Sequence, residues 1–434
     1  MKATQLFQIL LSLALCAAAV HTAGATGPVS FRVIYNVEGY QQPGGILEES
    51  PGVFYTTAAA PTVVFSVTSA GSQTILGTFP TGPILQSPIV SGPNNRVYSA
   101  IYGATYNVFS VTSAPGGLKV YPANSLDPAL TQNLPDGTLL ALASSAGVWG
   151  PAKCDLTGNV TSLAQLPGSY RLANVIYATD GNYYGVAQGN FTSDGYIFRL
   201  TTSGPPTTLY TFPTNTFTAW LATPLWQASD GNLYGAAVTG GANGTGMIYK
   251  LTLAGDFTLL YSFGKGTFGR GPFSLVEASD ANLYGVSTTN EDTAQIFRVS
   301  KSGQYTPLYA MNNSQGGPPC WLIQGSDGNL YGTAHAGGSA GLGSIFALSA
   351  GLPKPKPQAL SFMPRSGSAG TQVRTWGNNL LSATVQFSGT PATGVSNSGP
   401  NYVWATVPGG AASGPITVTT PGGTFTTKQS FTVR

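Results

Sequence analysis

Asp180-Gly-Asn-Tyr-Tyr-Gly185, Asp230-Gly-Asn-Leu-Tyr-Gly235, Asp280-Ala-Asn-Leu-Tyr-Gly285 and Asp327-Gly-Asn-Leu-Tyr-Gly332 are copies of one phrase. Their Asp residues stand 50, 50 and 47 positions apart. A fixed period of that size marks one supersecondary unit repeated in space, so it decides the fold before any local reading does. Degraded relatives lie upstream, in Leu134-Pro-Asp-Gly-Thr-Leu-Leu140, Pro93-Asn-Asn-Arg-Val-Tyr98 and Ser50-Pro-Gly-Val-Phe-Tyr55. Aligned on the aromatic or Leu position, seven copies bring Tyr55, Tyr98, Leu140, Tyr184, Tyr234, Tyr284 and Tyr331 into line.

Each copy has the same internal order. In the fifth, Pro224-Leu-Trp-Gln-Ala228 is a short apolar run, and Asp230-Gly-Asn232 is turn chemistry in which Asp and Asn tolerate left-handed backbone and Gly supplies positive φ. Leu233 to Val238 predicts a second strand, Met247-Ile-Tyr-Lys-Leu-Thr252 an alternating third, and Phe257 to Phe263 a fourth. Four strands in about 42 to 50 residues is the size of a propeller blade. The expected fold is therefore all-β: a seven-bladed β-propeller over 26–351, with blades near 46–80, 83–122, 128–167, 171–213, 222–264, 272–311 and 319–349.

The seventh copy stops after Gly343-Ser-Ile-Phe-Ala-Leu348, so its fourth strand is missing. Phe31-Arg-Val-Ile-Tyr-Asn-Val37 reads as a fourth strand with no blade of its own. An open ring would leave an unpaired edge and bare apolar faces, so residues 30–37 are expected to close the last blade. After Leu352-Pro-Lys-Pro-Lys-Pro357, an extended linker over 352–358, the period is lost. Seven short alternating strands over 359–434 predict an Ig-like β-sandwich without cysteine.

Charged residues make up only 8% of the 434, against about 25% in an average domain, which suits the uncharged polar surface of exported β proteins. The formal charge of +3 comes without a Lys/Arg cluster and excludes a nucleic-acid partner. Residues 1–25 read as a signal peptide, with Lys2, an apolar run from Leu6 to Ala19, and the small residues Ala23-Gly-Ala25. Leu13-Ala-Leu-Cys16 leaves a lipoprotein site as an alternative, with bulky Leu15 against it. No later segment reads as a transmembrane helix. The chain is expected to be secreted, or at the cell surface or in the periplasm, and to be a monomer. Cys154 and Cys320 fall in distant blades and read as free thiols.

The phrase Ala228-Ser-Asp-Gly-Asn-Leu-Tyr-Gly235, with Met247 to Thr252 and Phe257 to Phe263 after it, resembles the bacterial GloVer tandem repeat of choice-of-anchor exported proteins. That resemblance implies a repeat architecture with no attached catalytic residues. Phe362-Met-Pro364, Trp376-Gly-Asn378, Val385-Gln-Phe387 and Gly414-Pro-Ile-Thr-Val418 are similar to IPT/TIG domains, which implies a sandwich of the kind found in adhesins, receptors and carbohydrate-active proteins. The repeat also resembles the Asp-Gly-Asn-Leu-Trp phrase of streptogramin lyase-type propellers. Those rely on histidine, and this chain has Tyr in place of Trp and one histidine, His335, beyond the signal region.

Chemistry is sparse. His335 lacks the partners that a Ser-His-Asp site or a histidine-rich zinc site needs. Asp180, Asp230, Asp280 and Asp327 each open a tight turn in a different blade, so they read as structural turn residues and cannot converge on one ion. Glu48, Glu49, Glu277, Glu291 and Asp292 are the remaining acidic points, and a glycosidase needs two carboxyls about 5 to 10 Å apart. No metal site or cofactor is expected.

The two-to-three and four-to-one loops share one face and vary from blade to blade, as in Ala187 to Gly195, Phe212 to Pro224 and Ser287 to Gln295. Variable loops on a rigid scaffold carry binding. Trp220, Phe268, Arg270, Glu291, Asp292, Trp321 and His335, with Tyr106, fall in or beside them and are the candidate binding residues, each aromatic having an inter-blade plug as its competing reading. The leading expectation is a non-catalytic binding and scaffold protein for an extracellular carbohydrate or protein, with the sandwich as spacer or attachment module. A carbohydrate-active hydrolase or lyase using an acidic pair on the loop face, and a purely structural repeat protein, are the alternatives.

Overall fold

The computed structural model describes residues 28–79, 84–85, 88–102, 106–123, 129–145, 148–166, 171–188, 195–202, 204–213, 225–264, 272–288, 294–317 and 319–434. The signal-like residues 1–25 lie outside them. The described residues form strands and turns with no helix, and none of them makes a helix long and apolar enough to cross a membrane.

Among the described residues, seven antiparallel sheets occupy the stretch 30–349. Six are built in chain order, from Ile46–Ser50 through Tyr305–Met311. In the second, two short strands, Ile84–Leu85 and Val90–Ser91, share the innermost place against Val97–Tyr102. The seventh sheet takes Pro319–Gln324, Leu330–Ala334 and Ser344–Ser349 from its own repeat. Its fourth strand is Ser30–Asn36, antiparallel to Ser344–Ser349, with Phe31 opposite Leu348 and Val33 opposite Phe346.

The sheets bury their faces against one another in sequence. Val64 and Leu76 meet Ile101 and Phe109 between the first and second sheets. Tyr98 meets Leu139 between the second and third, and Leu142 meets Val175 between the third and fourth. Tyr184 meets Leu251, Tyr234 meets Val299 and Tyr284 meets Leu348 at the next three junctions. Tyr331 and Ile345 of the seventh sheet then pack on Phe54 and Phe65 of the first. The result is a closed, propeller-like ring. The innermost strands neighbour one another around the hub at six of the seven junctions among the described residues.

The outer strands add an aromatic rung between successive sheets. Tyr210 stacks on Phe257 at 3.9 Å, Tyr261 on Tyr305 at 4.4 Å, and Tyr309 on Phe31 at 4.5 Å. Stacked pairs of this kind contribute about 0.5–1.5 kcal/mol beyond their area burial. Phe31 thus supplies to the seventh sheet what Phe257 and Tyr305 supply to the fifth and sixth.

Residues 358–433 form two further sheets over a separate core of Phe362, Val373, Val385, Phe387, Val403, Ile416 and Phe431. One sheet has Gln372–Asn378 and Tyr402–Thr406 at its centre, flanked by Gln358–Met363 and Thr393–Ser398. The other is built on Gly414–Thr420 and Gly423–Val433.

Candidate functional site: the turn face and its docked module

The repeated phrase is a closed hydrogen-bond unit. Asp180 Oδ1 accepts from the Asn182 backbone N–H at 3.1 Å, and its Oδ2 accepts from Asn182 Nδ2 at 2.9 Å and from the Tyr184 hydroxyl at 2.7 Å. Asp230, Asp280 and Asp327 repeat the pattern with Tyr234, Tyr284 and Tyr331. Burial opposes ionisation of Asp180, but the bonds from Tyr184 and Asn182 outweigh it and hold the carboxyl below its ordinary value. The same balance lowers Asp230. Burial, then the neighbouring carboxylate, pushes the Tyr184 hydroxyl up to about 12. The closing Gly of the phrase has a packing reason: a Cβ at Gly185, Gly235, Gly285 or Gly332 would overlap the ring of Phe198, Tyr249, Phe297 or Phe346 on the next strand. In the third copy Leu140 carries no hydroxyl, and Asp136 instead pairs with Lys153 at 2.6 Å.

A second bond set ties each turn to the next sheet. The residue before the Asp donates its backbone N–H to a Gln or Glu on the following innermost strand. Thr179 donates to Gln227 Oε1 at 2.8 Å, Ser229 to Glu277 Oε2 at 2.6 Å, and Ser279 to Gln324 Oε1 at 2.8 Å. Ser326 donates to Glu48 Oε2 at 2.6 Å, which carries the latch from the seventh sheet back to the first. Lys301 pairs with Glu277 at 2.6 Å. Glu48 and Glu277 therefore hold the ring together and are not free acids for catalysis. Latch and turn bonds engage both oxygens of each carboxylate, those of Glu48 by Gly52 and Ser326 and those of Glu277 by Ser229.

In the second and third copies the position of the latch donor is held by Pro93 and Pro135, and proline has no N–H to give. The C-terminal module sits at these two turns. On its central strands Arg374 lies opposite Trp404 and Trp376 opposite Tyr402. Their alternating neighbours Val373, Val403 and Ala405 belong to the module's own core. The outward four meet the ring. Trp404 Nε1 donates to Pro93 O at 3.3 Å, and Tyr402 donates to Leu134 O at 2.7 Å. Arg374 donates to Pro135 O, and Trp376 Nε1 to Asn133 Oδ1 at 2.9 Å. Asn133 and Tyr177 stand where other copies carry the latch acceptor; Tyr177 packs edge-on to Trp376 at 6.1 Å. The Arg374 guanidinium lies 5.6 Å from the centres of both the Tyr402 and Trp404 rings. Trp, Tyr and Arg are the residue types that dominate binding energy at interfaces. The linker is pinned as well, since Pro353 O accepts from Ser279 Oγ at 2.5 Å and from Gln324 Nε2 at 3.2 Å.

Of the candidate binding residues, Trp220, Phe268, Arg270, Glu291 and Asp292 lie outside the described residues, and so does the side chain of Tyr106. Trp321 is not a loop-face platform. It lies within the strand Pro319–Gln324 and packs half-buried into the cluster shared by the seventh and first sheets, because strand alternation turns it towards Phe54 and Tyr331. His335 is exposed just after Leu330–Ala334. Cys154 is a buried free thiol whose pKa burial pushes up to about 12, while the side chain of Cys320 lies outside the described residues. Among the described residues no group of three or more His, Cys, Asp or Glu is placed to hold a metal ion. Sequence reasoning missed the latch residues and the four docking residues; Pro93 and Pro135, at positions held by Ser or Thr in copies four to seven, were the available signal.

Among solved structures the chain is similar to a streptogramin B lyase, with a TM-score of 0.57 at 16% identity, covering 75% of this chain and 99% of that one. It is also similar to a catalytically inactive histidine-to-alanine variant of virginiamycin B lyase from Staphylococcus aureus with quinupristin, with a TM-score of 0.57 at 14% identity, covering 74% of this chain and 99% of that one. These likenesses show a shared propeller-like fold. No curated protein matches the chain. Residues 170–399, just over half of the chain, match the Gloeobacter/Verrucomicrobia repeat, from the fourth copy into the C-terminal module. The chain belongs to the Gloeobacter/Verrucomicrobia repeat family.

Proposed function

We propose that the seven sheets are the blades of a seven-bladed β-propeller, that residues 359–434 are an Ig-like sandwich of the IPT/TIG kind, and that the chain is an exported, non-catalytic binding protein. The signal-like residues 1–25 and the low charge support export. The observation that carries the binding reading is the seat of the module. It covers turns of the second and third blades through Trp404, Tyr402, Arg374 and Trp376. The strand ends away from those turns, where the variable sequences begin, are left as the surface for an extracellular carbohydrate or protein. In this reading the sandwich braces the scaffold.

The carboxylates legible in the repeats support the non-catalytic side, because Asp180, Asp230, Asp280, Asp327, Glu48 and Glu277 are all engaged in turns and latches. The lyase variant of similar fold was solved with quinupristin, and at 14% identity that chemistry does not transfer. The test is an array of polysaccharides and surface extracts probed with the full chain, alongside His335→Ala and Glu291→Gln variants. Binding weakened by either variant is expected. No retention of any polysaccharide or surface protein would sink the binding reading, and turnover lost in Glu291→Gln would replace it with a carbohydrate-active enzyme.

A further inference from the structure

At the joint between ring and module one carboxylate has no counterpart in the latch system. Glu49 follows the latch residue Glu48 but points the other way, towards the second sheet and the module. Its Oε2 is sealed from solvent and has no hydrogen-bond partner. The turn at Gly399 closes over it. Gly399 has φ +69, and a Cβ there would lie 2.7 Å from Glu49 Oε2 and overlap Ser91 Oγ. Ser91 in turn is tied to the dock, because its carbonyl accepts from Asn133 Nδ2 at 2.9 Å and Asn133 Oδ1 accepts from Trp376.

We propose that Glu49 makes the seating of the C-terminal module proton-dependent: the neutral acid fits beneath Gly399, and the ionised form releases the module from the ring. An ionised carboxylate with one oxygen sealed from water is costly without a cation or several donors, and the bond that opposes this cost comes from the Ser91 side chain. The groups facing it do not offset the charge. Tyr55, on Val53–Ala58, is pushed up to about 12 by burial and then by Glu49 itself, so it stays neutral. Val90–Ser91, Thr393–Ser398 and residues 399–401 carry no titratable side chain. Arg96 is turned to Ser110 and Gly117, Arg374 to Pro135, Glu48 to Ser326, and Tyr402 to Leu134.

The sign follows from linkage. In the seated state burial pushes the Glu49 carboxyl up to about 8, against the opposing bond from Ser91. Released into water it titrates near the ordinary Glu value of about 4.3. Seating is therefore full below that value, weakens by up to about tenfold per pH unit as pH rises, and levels off above about 8.

The experiment uses the full chain. Acrylamide quenching of tryptophan, followed through a urea titration, gives the midpoint at which the module leaves the ring; small-angle scattering confirms the release. At pH 8.5 the wild-type midpoint is expected well below that at pH 5.5, for a docking constant smaller by about 200-fold. Glu49→Gln and Glu49→Met are expected to keep the low-pH midpoint at both values. Gly399→Ala is expected to be released at both. A wild-type midpoint that does not fall with pH, or a fall of the same size in Glu49→Gln and Glu49→Met, overturns the proposal.

Discussion

Glu48 and Ser326 stand 278 residues apart in the chain and are joined by two hydrogen bonds, from the Ser326 N–H to Oε2 at 2.6 Å and from its Oγ to Oε1 at 2.8 Å. Gln227, Glu277 and Gln324 make the same bond between neighbouring sheets, so Glu48 extends a repeated device across the point where the ring begins and ends. Glu48 is buried and also accepts from Gly52 N–H at 2.7 Å. Replacing it with Ala strands those donors, and bonds to a charged group contribute about 1.5–3 kcal/mol. Glu48→Ala is therefore expected to lower stability by about 2–3 kcal/mol in chemical denaturation. Glu48→Gln should lose less than half of that, because Gln serves in two of the other three latches. Equal losses in the two variants would show that acceptor geometry is not what the position needs.

The aromatic rung makes a parallel case for the outer edge. Phe31 stacks on Tyr309 at 4.5 Å with the rings 4° from parallel, and it also meets Phe346 at 5.4 Å. Phe31→Ala removes one rung and part of the apolar cover of the seventh sheet. Full truncation of a buried Phe costs about 3–5 kcal/mol, and partial exposure of Phe31 brings the expectation to about 1–3 kcal/mol. Removing residues 28–36 altogether should go further, exposing Ser344–Ser349 as an unpaired edge and promoting association. Size-exclusion chromatography and thermal melts read both effects, and an unchanged melting temperature after the deletion would remove Ser30–Asn36 from the closure of the ring.

What could be read in the chain follows the range of the interactions. Strand order and turns were legible because they depend on neighbours: a short run of strand formers sets Met247–Leu251, although both its faces are buried between sheets, and Asp-Gly-Asn chemistry sets the turn before Leu233–Ala237. The role of Ser30–Asn36 was legible from a count, since the last repeat lacked a strand. The latches were not, because a Gln or Glu at a strand end looks like any solvated polar residue until its partner in the next repeat is beside it. Glu48 and Glu277 were therefore read as acids with open roles. The dock was hidden for a similar reason: Arg374, Trp376, Tyr402 and Trp404 alternate with core residues as in any half-buried strand. The degraded phrase of the second and third copies has a physical correlate here, because Pro93 and Pro135 lack the latch donor and their carbonyls receive the module.

One repeat departs from the turn rule in a way that measures its worth. Gly181, Gly231 and Gly328 hold φ of 84°, 82° and 98°, and the equivalent residue of the sixth sheet is Ala281 at φ 63°. Left-handed backbone costs a residue with a Cβ about 1–2 kcal/mol, part of which glycine returns as greater freedom in the unfolded chain. Ala281→Gly is expected to stabilise by about 0.5–1 kcal/mol, seen as a higher denaturation midpoint with an unchanged slope. A loss of stability would mean that the Ala281 methyl makes contacts that outweigh the strain.

The dock yields a prediction that separates a seated module from a tethered one. Trp376 is almost fully buried; it donates to Asn133, a buried residue that is itself bonded to Ser91, and meets Tyr177 edge-on. Truncating a buried aromatic anchor at an interface costs about 2–4 kcal/mol. Trp376→Ala is therefore expected to raise amide exchange in residues 133–137 and 402–406 together, while strands of the fifth to seventh sheets keep their protection. Trp376→Phe, which keeps the ring contact and loses the Nε1 bond, should fall between wild type and Trp376→Ala. If the linker alone held the module near the ring, exchange in 133–137 would be indifferent to Trp376, because Pro353 and its bonds to Ser279 and Gln324 are left intact by both substitutions.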